Sequence, residues 1–203
     1  MLKELFEGSF YVTFDKKDGV LINLQERTFN GGDFSLLDPR ACQGCQYVCS
    51  DELNDREQLR VHSDNQAYSL SVNDVFSYIR DDVGETCDYM IDTRSATALV
   101  EMTCSNSDYV KDKRQKSRRQ LYNTLALFWA NPVVKHHIEQ KEARYAVFSW
   151  RETFPISSAM DNVEDSMRGM ILLPDAVYSP DNESNFDYGF KLKEIRYPDV
   201  FVC

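Results

Sequence analysis

Apolar and polar positions alternate with period two in several short stretches of this chain, and with the period of an α-helix in one long stretch. The clearest run extends from Cys87 to Ala130, CDYMIDTRSATALVEMTCSNSDYVKDKRQKSRRQLYNTLALFWA. It predicts a strand, a turn near Asp92–Ser95, a second strand and then a long helix. In the second strand Ala98, Val100 and Met102 point one way, while Leu99, Glu101 and Thr103 point the other. The first set predicts a core face. The acidic face is expected to look outward, toward the helix that follows. Ser107 or Asp108 supplies that helix with an N-cap. Leu121, Leu125, Phe128 and Trp129 recur at helical spacing, so its second half is predicted buried and its first half exposed. Asn131-Pro132 then offers an N-cap and a first-turn proline for another helix, expected to run to about Glu142. RYAVFSW, from Arg144, has the pattern of a buried strand.

Outside this run the pattern is weaker. SFYVTF (9–14) and VLINL (20–24) predict two short strands joined by the turn DKKDG. NGGDFSLLDPR, from Asn30, has the Gly pair and Asp-Pro of a loop. LRVHS and QAYSLSV are expected strands, and Ser71 is placed to cap a short helix in VNDVFSYIRDD. Residues 152–183 shift toward loop-forming and acidic types, with MILLPDAVY as an inner strand or packing segment. FDYGFKLKEIRY, from Phe186, predicts a final strand. The expectation is an α/β fold: one mixed sheet flanked by helices, in a single domain over 1–203. Its core would lie at about 87–150, with N-terminal strands at 9–24, a Cys-rich loop at 42–49 and a C-terminal elaboration at 152–203.

Composition narrows the function classes. With 42% apolar residues the 203-residue chain can build a sizeable core. A net charge of −10 argues against broad coating of nucleic acid, which needs Lys and Arg to neutralise phosphates. A local patch is a different matter. Lys111, Lys113, Arg114, Lys116, Arg118 and Arg119 are crowded into nine residues with one Asp among them. They sit in the exposed half of the predicted helix, whose N-terminus favours anions, and they are the candidate nucleic-acid contacts. A solvated charged face accounts for the same run. No apolar stretch reaches the ~18 residues of a membrane span, and no signal-peptide pattern opens the chain, so a cytoplasmic protein is expected. Its six cysteines would then be reduced or metal-bound. Cys42, Cys45 and Cys49, spaced by two and three residues, suit a Zn²⁺ ion, with His62, Cys87 or Cys104 as the fourth ligand. Buried free thiols are the other reading. His136 and His137 are adjacent on a helix, so their side chains diverge by about 100°. At least one is expected in solvent.

The hairpin carries the candidate chemistry. Asp88 opens its first strand and Glu101 lies near the end of its second, so the turn brings two carboxylates side by side. Hard divalent cations such as Mg²⁺ or Mn²⁺ take ligands of this kind. CDYMI, then VEMT, then QLYNT resembles the PD-(D/E)xK nuclease superfamily, over roughly residues 87–150. The resemblance implies a restriction-endonuclease-like fold. It also implies metal-dependent cleavage of DNA or RNA, with Asp88 and Glu101 as metal ligands and Gln120 on the following helix. The family's Lys, two residues after the Glu, is Thr103 here. If another Lys replaces it, Lys113 and Lys116 are the candidates, since they share a helix face with Gln120. The alternative implied by Thr103 is an inactive nuclease-like subunit that binds nucleic acid or a protein partner in a larger assembly.

Overall fold

The computed structural model describes residues 2–37, 47–49, 57–80, 82–105, 110–152 and 183–203. The chain is mixed α/β, built in three layers. A seven-stranded mixed sheet forms the middle, helices cover one face, and a four-stranded sheet covers the other.

The large sheet comprises β1 (Glu26–Phe29), β5 (Ala67–Ser71), β6 (Tyr89–Thr93), β7 (Ala96–Ser105), β8 (Ala143–Glu152), β9 (Glu183–Asn185) and β10 (Lys191–Arg196). Its order is β1-β5-β6-β7-β8-β10-β9. Pairing is antiparallel from β1 through β7, parallel for β7–β8 and β8–β10, and antiparallel again at β9. The small sheet contains β2 (Gly32–Leu37), β3 (Tyr47–Cys49), β4 (Glu57–Ser63) and β11 (Val200–Val202), in the order β11-β4-β2-β3. Phe34, Leu36, Leu59 and Val61 of this sheet pack on Tyr89, Ile91, Ala98, Val100 and Met102 of the large one. The period-two face expected of the hairpin therefore meets a second sheet.

The opposite face, bearing Leu70, Met90, Leu99 and Ala146, packs under helices. These are α3 (Val72–Ser77), α4 (Val110–Ala130) and α5 (Pro132–Glu139), together with helical turns at the N-terminus: α1 (Leu2–Leu5), a π-helical turn Phe6–Phe10 and α2 (Tyr11–Thr13). Leu121, Leu125 and Phe128 of α4 are fully buried, as their spacing requires. Caps fix the starts of two helices. The Ser71 hydroxyl accepts from Asp74 N, and the Asn131 side chain accepts from Val133 N and Val134 N ahead of α5.

Several expectations need correction. The two strands at 9–24 are not formed. Leu2, Phe6 and Phe10 are 1%, 0% and 0% exposed. Their four-residue spacing is helical, and it sets the rings of Phe6 and Phe10 against Phe128. Residues 20–25 carry no regular structure, and Leu21 is 89% exposed. The stretch from Asn30 is not simply a loop: after the turn at Gly31 (φ 87°), Gly32–Leu37 pairs with β4. The helix after Ser71 ends at Ser77, and α5 ends at Glu139 rather than near 142. The C-terminal strand begins at Lys191, after a 3-10 turn at Asp187–Gly189, and β11 follows it. Cys42 and Cys45, most of 152–183 and the segment MILLPDAVY lie outside the described residues. Cys49 falls in β3, and its side chain is not described.

Candidate functional site

The hairpin forms as its alternation predicts, with β6 and β7 antiparallel and Tyr89 opposite Val100. One step back, that register sets Asp88 across from Glu101. Asp88 lies just before β6 and is held from three sides. Its N–H donates to Val100 O (2.9 Å), its C=O accepts from Val72 N (2.9 Å), and its Oδ2 accepts from Met102 N (2.8 Å). The two residues therefore face each other across the hairpin.

Their surroundings differ from the outward-looking acidic face that the sequence suggests. Asp88 and Glu101 are each 2% exposed, and Thr103, where the motif Lys would stand, is 6% exposed. The face has a cover because parallel pairing sets Phe148 beside Glu101 and Trp150 beside Thr103, and α4 packs over the same side of β7. Cys87, which precedes Asp88, is fully buried and bonded through its N–H to Thr124 of α4. Its thiol is pushed well up, first by burial and further by the negative charges of Glu101 and Asp88, despite an opposing hydrogen bond with Thr124. It is an inert core thiol at neutral pH.

Helix α4 acts on this centre chiefly through the segment that leads into it. Gln120 Nε2 donates to Thr86 O (3.0 Å), and Thr124 Oγ1 accepts from Cys87 N (2.9 Å). Asn123 Nδ2 donates to Val83 O and Glu85 O (2.8 and 2.9 Å). Three polar side chains of QLYNT thus clamp the backbone of 83–87. Asn123 and Thr124 have no place in the sequence reading. Their signal was present: polar residues at helical spacing beside a buried apolar stripe.

The basic run divides in two. Arg114 makes a two-pronged pair with Glu194, with Nε and Nη2 at 2.7 and 2.6 Å, and Trp150 Nε1 donates to the same carboxylate (3.1 Å). The pair raises the Arg114 pKa further, against the lowering effect of burial. Lys116 Nζ lies 2.7 Å from Glu85. Lys111, Lys113, Arg118 and Arg119 stand exposed. Neither Lys113 nor Lys116 is turned to the carboxylates: one is in solvent and the other is held on Glu85. A Mg²⁺ ion with two carboxylate ligands completes its octahedron with several waters. Asp88 and Glu101, closed under α4 and the aromatic pair, fit a hydrated cation poorly. Among the described residues no group of three or more His, Cys, Asp or Glu side chains is arranged to hold a metal.

A second polar centre sits at the other end of the hairpin. Asp92, 6% exposed, accepts from Thr97 Oγ1, from His137 Nε2 (3.2 Å to each oxygen) and from Lys141 Nζ (2.9 Å). Lys141 also donates to Thr93 O (2.5 Å). Burial alone would raise the Asp92 pKa, but the hydrogen bonds of His137 and Thr97, the His137 charge and the Lys141 bond outweigh it and hold the carboxyl below its ordinary range. This cluster ties α5 to the β6–β7 turn. His136, by contrast, is exposed, as expected of one of the two adjacent histidines. His62 lies in β4, 2.5 Å from Asp33 through Nδ1.

No protein-family model, curated protein or solved structure matches this chain. No helix among the described residues is long and apolar enough to cross a membrane.

Proposed function

We propose that this chain is a nuclease-like domain of the PD-(D/E)xK type whose carboxylate centre does not cleave and which binds nucleic acid through the exposed basic residues of α4. The observation that carries this reading is the state of the centre. Asp88 and Glu101 keep their mutual register but are 2% exposed, and the position two residues after Glu101 is the buried Thr103. A general base or water-orienting cation must lie within hydrogen-bond reach of the attacking water. Lys116 is committed to Glu85, and Lys113 points into solvent. Neither of these two lysines is placed for that role, which favours the reading of the centre as a frame. The domain presents Lys111, Lys113, Arg118 and Arg119 from one helix, a local exception to an acidic chain.

A second reading, Mg²⁺- or Mn²⁺-dependent cleavage of DNA or RNA, is favoured by the facing of Asp88 and Glu101 across the hairpin. A cleavage assay separates the two. Single- and double-stranded DNA and RNA are incubated with the protein in Mg²⁺ and in Mn²⁺, with Glu101→Ala as the paired control. The proposed function predicts intact substrates for both proteins. Cutting by the wild type that falls by orders of magnitude in Glu101→Ala establishes the nuclease.

A further inference from the structure

Between α4 and the turn that joins β9 to β10 lies a groove of about 540 Å³. Its α4 wall is formed by Gln115, Arg118, Arg119 and Tyr122, at i, i+3, i+4 and i+7. The facing wall is formed by Asn185, Phe186 and Asp187. That wall is a preset turn. Phe186 N donates to Phe190 O (2.8 Å) and Phe190 N to Asp187 O (3.2 Å). Tyr188 and Gly189 both take positive φ (58° and 74°), and a Cβ on Gly189 would come within 3.3 Å of the Arg144 guanidinium. Aromatic contacts fasten the turn to α4: Tyr188 lies 4.8 Å from Trp129 and 6.1 Å from Tyr122, between ring centroids. Both arginines are exposed, and neither forms an ion pair among the described residues, unlike Arg114 and Lys116 on the same helix. Tyr122 is 47% exposed, an aromatic ring left at a basic surface.

We propose that this groove binds a nucleotide, either free or as one unit of a single strand. Two adjacent guanidiniums match phosphate oxygens, which accept from their forked N–H donors. The rings of Tyr122 and Phe186 offer the apolar surface on which a base stacks, a contact that tolerates any base. Gln115, Asn185 and Asp187 supply donors and acceptors for base edges and sugar hydroxyls. The carboxylate also sets polarity, because it repels phosphate from the turn side and leaves the arginine side for it. The volume falls within the ~300–1,000 Å³ of small-molecule sites. A paired duplex, whose bases are already stacked, cannot use the rings. The inference deepens the nucleic-acid reading and rests on it only for the polymer form of the ligand.

The test is a binding titration with two probes: AMP by calorimetry, and a fluorescent oligothymidylate of about ten nucleotides by anisotropy. Wild type, Tyr122→Ala, Arg119→Gln and, as a charge control away from the groove, Lys135→Gln are compared. The three substituted positions are at least partly exposed, and urea denaturation verifies that each variant retains the fold. The groove assignment predicts AMP binding that weakens at least about tenfold in Tyr122→Ala and in Arg119→Gln but not in Lys135→Gln. Oligothymidylate binding with the same losses identifies a strand as the ligand. AMP binding without oligothymidylate binding supports the groove and identifies a free nucleotide. Oligothymidylate binding that is indifferent to Tyr122→Ala and Arg119→Gln, with no AMP binding, overturns the groove while leaving the nucleic-acid reading standing. Absence of binding to both probes overturns the groove, and absence of duplex binding as well overturns that reading too.

Discussion

At the scale of single residues, the buried acids at the two ends of one hairpin have different fates. Asp88 and Glu101 were legible in the sequence, because alternation in a strand and a short turn fix which residues face each other. Their burial was not, because it depends on Phe148 and Trp150, which arrive from a strand more than forty residues on. Asp92 was read as part of a turn. Its role depends on His137 and Lys141, from a helix and its end distant in sequence, and no local pattern announces such a meeting. Its depressed pKa has a definite sign. The ionised form contributes stability above the ordinary Asp pKa of ~3.9, and that contribution is lost as pH falls through the lower folded value. Asp92→Asn should therefore cost about 3 kcal/mol at neutral pH, since it strips a buried Lys141 of its partner. The deficit should shrink as pH falls below about 4. Urea denaturation of both proteins across pH checks this. A deficit independent of pH would assign the loss to packing.

At the scale of elements, the hairpin, α4 and α5 followed from period and caps. The N-terminal segment did not. SFYVTF is rich in aromatic and β-branched residues, which favour strands, yet Leu2, Phe6 and Phe10 form a helical row that fits against Phe76 and Phe128. Tertiary packing overrode local propensity because the row buries three large side chains, each worth about 1.5–3 kcal/mol. β2 was hidden by its neighbours: Gly31 and Gly32 suggest a loop, but Phe34, Leu36 and Leu37 are buried, the first two against the large sheet. Phe10→Ala should destabilise the fold by about 3–5 kcal/mol, and Leu21→Ala, at an exposed position, by less than about 0.5 kcal/mol. Chemical denaturation of the two variants distinguishes the helical row from the strand pairing suggested by the sequence, in which Leu21 would also lie in a strand.

At the scale of the whole molecule, charge is unevenly used. The chain carries −10 overall, yet α4 turns four of its six clustered basic residues to solvent and holds the other two on Glu194 and Glu85. The tethered pair belongs to the fold. Arg114 joins α4 to β10, and Lys116 joins it to the segment before Asp88. In the proposed reading the exposed residues are the ones that meet nucleic acid. A sheet covered on both faces seats this helix, and in the same proposed reading the buried carboxylates beneath it contribute to a frame rather than to an open catalytic cleft. Sequence alone could mark the basic run but could not divide it, since the division depends on where Glu85 and Glu194 lie after folding.

The most direct test of this account is the salt dependence of nucleic-acid binding. Anisotropy titrations of a labelled duplex in Mg²⁺, at stepped salt concentrations, give the slope of log K against log salt for the wild type and for Lys111→Gln/Lys113→Gln. Each phosphate contact on duplex DNA contributes about 0.9 to that slope. The account predicts measurable binding by the wild type, a slope about 1.8 units shallower in the double variant, and an uncut duplex recovered at the end of the titration. An unchanged slope, no binding at low salt, or a duplex cleaved during the measurement would contradict it.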